Sequence, residues 1–236
     1  MKTLIHQPNF TQLEWLEWFN WYFVMTMQSN LPDWLSQTVA SVARSKNVSC
    51  MSYPELLDQG WQIRDIVISS VFLSDSGIAN YHANNDEIDH WCRLRSKNLH
   101  LFSGAISAGE LIGQVGLIKL DEQEYQQLRN GQLEEKDIQG VSDEFNGPTY
   151  LYIPSVVLKP EWRKGTLIFK LFTHLIQQLE QQVALAPRVK GLIALAYTDD
   201  GAALCRRFNF TLEHVTASGD RVFTGALDQL LTALPS

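Results

Sequence analysis

Residues 150–180, YLYIPSVVLKPEWRKGTLIFKLFTHLIQQLE, constrain the fold more than any other stretch of the chain. The segment opens as a strand: aromatic and β-branched residues run to Leu158, with one proline, Pro154, among them. Lys159, Pro160 and Glu161 end the strand, because proline has no N–H to give a ladder. A basic turn follows, Arg163-Lys164-Gly165-Thr166. Beyond it Leu167, Ile168, Leu171, Phe172, Leu175, Ile176 and Leu179 recur along one stripe of a helix. The first N–H groups of a helix lack internal partners and its dipole is positive there, so the turn is a candidate anion site. From the turn alone, a plain strand–helix crossover with Arg163 and Lys164 in solvent reads equally well.

A chain of 236 residues leaves room for one or two domains with a full core. With 45% hydrophobic and 19% charged residues it belongs among globular sequences. A net charge of −7 argues against nucleic acid or an acidic membrane surface as partner and suits an amine-bearing one. Cys50, Cys92 and Cys205 are far apart, which supports neither a disulfide framework nor a zinc site, and no metal is expected. No signal-type apolar segment stands near Lys2, and the longest apolar run, residues 21–27, is too short for a bilayer. A cytoplasmic protein without a membrane partner is the expectation.

Residues 10–28 read as a helix capped by Asn9 or Thr11, with Trp15, Trp18, Trp21 and Tyr22 beside Leu16, Phe19 and Phe23. So broad an apolar surface is covered either by its own domain or by a second copy, which makes this Trp-rich helix the candidate homodimer surface. A second helix is expected over residues 32–46. The polar, turn-rich residues 47–54 mark a boundary between a helical N-terminal extension, 1–54, and an α/β domain, 55–236. Helices are expected over 61–72 and 87–96. A hairpin joins 99–107 to 111–120, and Gly113 and Gly116 in its second strand signal a bulge or close packing. Residues 121–138 read as a helical insertion whose charges form a solvated face. A buried strand at 190–197, a short helix at 202–208 and a closing hairpin, 209–216 with 221–227, complete a mixed α/β sheet without internal repeat.

This order and two motifs resemble the GNAT family of acyl-CoA-dependent N-acyltransferases over about residues 55–230. Val156-Val157-Leu158-Lys159-Pro160-Glu161-Trp162-Arg163 is similar to the family's strand followed by Pro-Glu-aromatic-Arg. Ala202-Ala203-Leu204-Cys205-Arg206-Arg207-Phe208-Asn209-Phe210 is similar to its helix ending in Tyr-Glu-Lys-Leu-Gly-Phe. The chain departs from the family twice. Counted without a gap, the loop glycines of the family fall at Thr166 and Ile168, with Gly165 one residue early, and Cys205 stands where the family commonly has tyrosine.

The resemblance implies a GNAT-like mixed central β-sheet flanked by helices, with residues 1–50 an extra helical segment. It implies acetyl-CoA as acyl donor, bound between the strands 150–158 and 192–197. Val156 and Leu158 would pair with the pantetheine as an added strand does, and a backbone N–H near Val157 would face the developing oxyanion. Arg163, Lys164, Gly165, Thr166 and Leu167 would hold the pyrophosphate. The acceptor, a small-molecule or peptide amine, would attack the thioester directly. Cys205 or Tyr197 would be the general acid, and each also reads as ordinary packing. No carboxylate lies on the central strand; Glu110, Asp143 or Glu144 acting through water are candidate bases, while His100 and His214 read as strand surface and His174 as solvent-facing. Two readings follow from the same residues: an N-acetyltransferase, or a degenerate GNAT domain that binds acyl-CoA or a protein without catalysis. A third makes the Trp-rich helix the functional surface of a partner-binding protein.

Overall fold

The computed structural model describes residues 48–75, 84–141, 147–182 and 188–234. All lie in the unit that begins at Val48, where the chain divides. The Trp-rich helix and the helix expected over 32–46 lie outside the described residues, as do Asp143 and Glu144.

Seven strands form one sheet: β1 (Val48–Met51), β2 (Phe102–Ser107), β3 (Glu110–Leu120), β4 (Thr149–Leu158), β5 (Val189–Ala196), β6 (Thr211–Val215) and β7 (Arg221–Gly225). Their spatial order is β1-β2-β3-β4-β5-β7-β6. Every neighbouring pair is antiparallel except the central one, β4 with β5, which is parallel. The mixed sheet flanked by helices expected from the sequence is therefore present.

The polar residues 47–54, read as a boundary, contain β1 and the start of a helix. Val48–Met51 pairs with Ser107–Gly104 of β2, and Ser52 and Glu55 form a capping box on α1 (Tyr53–Asp58). The sheet thus begins ahead of residue 55. α2 (Ile63–Asp75) and α3 (Asn85–Lys97), the latter capped by Asn84 and Glu87, pack on one another. The β2–β3 hairpin turns at Ala108 and Gly109, whose φ values of 50° and 75° both lie in the left-handed region demanded by a two-residue turn.

Alternation along the strands sends successive side chains to opposite faces. On one face Val115, Leu117, Leu151, Ile153, Leu192 and Ala194 pack under α5 (Leu167–Gln182), whose apolar stripe, Leu171, Phe172, Leu175 and Leu179, is fully buried. On the other, Ile118, Tyr152, Ile193 and Val222 pack with α3 and α4 (Glu122–Arg129). α6 (Asp199–Arg207) and α7 (Leu227–Ala233) lie against β5. Asn209, two residues past the end of α6, is held at φ 56°, where the family pattern has glycine; asparagine tolerates that conformation better than other side chains.

Pro154 decides the shape of the centre. Ile118 pairs with Tyr152 but Gly116 with Ser155, so β4 spends one residue more than β3 between those two pairs, at Ile153-Pro154. A bulge bends its strand and reverses the alternation, and proline has no N–H for a ladder. Pairing of β4 with β5 accordingly stops at Ile153↔Ala194. From there β4 runs on to Leu158 along β3, while β5 runs on to Ala196 along β7. The two parallel strands separate into a V.

Candidate active site

The opening of that V is the floor of a cleft of about 910 Å³, a size that suits a sizeable organic ligand. Lys159 donates its N–H to Ile112 O at 2.9 Å. Alternation from that bond turns the backbone groups of Val157 toward β3 and those of Val156 and Leu158 toward the open side. Leu158 O accepts from Nε of Arg163 at 3.0 Å, which leaves the Val156 groups and the Leu158 N–H on a strand edge that is unpaired among the described residues.

At the end of this edge stands the basic turn. A short helix, Pro160–Trp162, is closed by the Trp162 N–H on Lys159 O and the Arg163 N–H on Pro160 O. The first amides drawn into α5 are those of Phe169 and Lys170, both on Thr166 O; among the described residues the amides from Lys164 to Ile168 have no backbone partner, which leaves them available to an anion. Arg163, Lys164 and Gly165 line the cleft, and a Cβ added to Gly165 would meet no atom within 4 Å among the described residues beyond its chain neighbours. Among the residues expected here, Leu167 sends its side chain into the core and Thr166 serves as the first acceptor of the helix; neither lines the cleft. Ile168 does line it.

The two candidate acids sit on opposite faces. Cys205, on α6, packs with Ala194 and Ala196 on the α5 side, and burial pushes its thiol up to about 11. Such a thiol stays protonated at neutral pH but is a reluctant donor, since an ordinary thiol titrates near about 8.5. Tyr197 follows β5 on the other face. The residue is 37% exposed, yet its hydroxyl donates to Oε2 of Glu135 at 2.8 Å.

Glu135 is the residue that sequence reasoning missed. It opens a short helix, Glu135–Asp137, in the segment read as solvated, and its carboxylate lines the cleft. Oε1 accepts from the hydroxyl of Tyr152 and Oε2 from that of Tyr197. Burial raises its pKa, against the opposing pull of the two phenols. Both tyrosines are pushed up by burial and by the adjacent carboxylate, so they remain donors. A half-buried carboxylate that lines a cleft and is held by two phenols has the character of a general base.

The other bases considered fall elsewhere. Glu110 pairs with Lys159 away from the cleft. His174, expected in solvent, is half-buried instead, with Nδ1 2.8 Å from Ser103 Oγ because α5 packs across β2. Among the described residues no group of His, Cys, Asp or Glu is placed to hold a metal, and no helix is long and apolar enough to cross a membrane.

No family profile matches the chain, and no curated protein matches it. Solved structures do. One is the NatC complex bound to Gag peptide and CoA, with a TM-score of 0.49 and 12% identity over 75% of this chain and 96% of that one. Another is the Drosophila melanogaster polyamine N-acetyltransferase that forms N-acetylagmatine (TM-score 0.48, 12% identity, 77% of this chain and 100% of that one). A third is an agmatine N-acetyltransferase in its apo form (TM-score 0.47, 13% identity, 77% and 100%).

Proposed function

We propose that this chain is a GNAT-like N-acyltransferase that moves an acetyl group from acetyl-CoA to a primary amine by direct attack. The observation that carries the reading is the separation of β4 from β5 past Ile153 and Ala194, with an unpaired strand edge leading to free helix amides. The Val156 and Leu158 backbone groups take the pantetheine as an added strand, and the turn at Arg163–Gly165 takes the pyrophosphate. Acetyl-CoA supplies the thioester carbonyl. Glu135 receives the proton of the attacking amine, Tyr152 and Tyr197 hold its carboxylate in place, the new N–C bond forms and the C–S bond breaks. The departing thiolate, at an ordinary thiol pKa near about 8.5, needs little help to leave. Cys205 is then a wall of the cleft rather than its acid.

The substitution of Ile168 and Cys205 for the family's glycine and tyrosine favours a second reading, a domain that binds acyl-CoA without turning it over. Calorimetric titration with acetyl-CoA, followed by CoA-thiol release across a panel of amines, separates the two. Binding with turnover is expected. Binding without turnover on any amine supports the second reading, and the absence of both heat and thermal shift sinks both.

A further inference from the structure

Arg95 is a buried charge lining this cleft that the reaction does not use. It lies on α3 with 5% of its surface exposed, and it lines the cleft on the face that carries Glu135 and Tyr197. Its guanidinium has five donors. The hydrogen bond it makes is a long one, Nη1 to Leu117 O at 3.4 Å, and the Phe102 ring lies 5.9 Å from Cζ. Among the described residues no carboxylate is within 4.0 Å of it; Glu135, Tyr152 and Tyr53 act on it only at longer range. An arginine taken out of water without a paired anion is costly to the fold.

The room for it is built. A Cβ at Gly116 would stand 2.3 Å from Nη1, 2.6 Å from Nη2 and 2.7 Å from Cζ, so glycine in this strand is what admits the guanidinium. The neighbouring Gln114 is already engaged: it accepts from Ser70 and donates to Ser155 Oγ at 3.0 Å. Arg95 brings a planar fork with donors to spare, the geometry that matches a carboxylate.

We propose that Arg95 is the carboxylate-binding residue of the acceptor site, and that the acceptor is an amine carrying a carboxylate, an amino acid, rather than a polyamine or a peptide N-terminus. The inference rests on the acyltransferase reading for the amine end, which Glu135 receives; the carboxylate end rests on Arg95 and Gly116.

The test compares free amino acids with their carboxamides and with the matching decarboxylated amines. Binding is followed by calorimetry without CoA, and turnover by CoA-thiol release with acetyl-CoA. Wild-type protein is expected to favour the acids by roughly tenfold or more in kcat/KM, the worth of a charge-assisted hydrogen bond. Arg95→Gln, and independently Gly116→Ala, should lower the acid-to-amide ratio by at least about tenfold, acting through KM. Equal handling of acids and amides by the wild type overturns the proposal, and so does a loss in either variant that is the same for both. Uptake of amino acids but not their amides, with no CoA ever released, would keep the subsite and discard the acyltransferase reading. Turnover blind to the carboxylate would do the reverse.

Discussion

Replacing Tyr152 with phenylalanine tests a group that does not line the cleft and acts on the base through its hydrogen bond to Glu135. Tyr152 is fully buried between Ile118 of β3 and Ile193 of β5 and does not line the cleft, so Tyr152→Phe removes one hydroxyl and keeps the packing of the ring. That hydroxyl donates to Oε1 of Glu135 and opposes the upward push of burial on the carboxylate. Glu135 already holds its proton more tightly than an ordinary glutamate, and losing a donor to the ionised form tightens the hold further. A hydrogen bond to a charged group is worth about 1.5–3 kcal/mol, and tenfold corresponds to about 1.4 kcal/mol. On the acid side of the rate profile, kcat/KM of the variant should therefore fall roughly 10- to 150-fold. On the alkaline side, where both proteins carry an ionised base, the gap should close to within about threefold. The assay is CoA-thiol release at saturating acetyl-CoA from about pH 5 to pH 9, with acetyl-CoA affinity as a control for the fold. A loss of equal size at every pH, or an acid limb that does not move, refutes Glu135 as the base.

Lys164→Glu reverses an exposed charge beside free helix amides and should weaken acetyl-CoA binding by roughly tenfold at low salt, fading as salt screens the site; calorimetry at two ionic strengths reads it. Cys205→Ala should leave kcat within about threefold, because a buried thiol pushed up to about 11 is a poor proton donor; a hundredfold loss would restore the thiol as the acid. Asn209→Ala should destabilise the domain by about 1 kcal/mol, through a φ of 56° that a β-carbon resists, while Asn209→Gly should cost less. Thermal melts of the two side by side decide that point.

Much of this protein is legible in its sequence, because the relevant physics is local. Pro160, the basic turn and the apolar stripe from Leu167 to Leu179 dictate strand, turn and helix within 150–180 through hydrogen-bonding capacity and periodicity alone. The hairpin around Gly109 and the caps at Asn84 and Thr198 are likewise near-neighbour chemistry. What local rules cannot supply is which distant side chain meets which. Glu135 reads as one more charge among solvated ones until the turn after α4 brings it to Tyr152 and Tyr197, 17 and 62 residues away. Gly116 announces close packing, but only the tertiary structure names Arg95 as the group that fills the space. The V between β4 and β5 has the same divided origin: Pro154 weakens the ladder by sequence, and the register of β3, β4 and β5 decides that the opening falls at Ile153↔Ala194. Backbone preference is written residue by residue, whereas a site made of long-range contacts exists only once the chain has closed on itself.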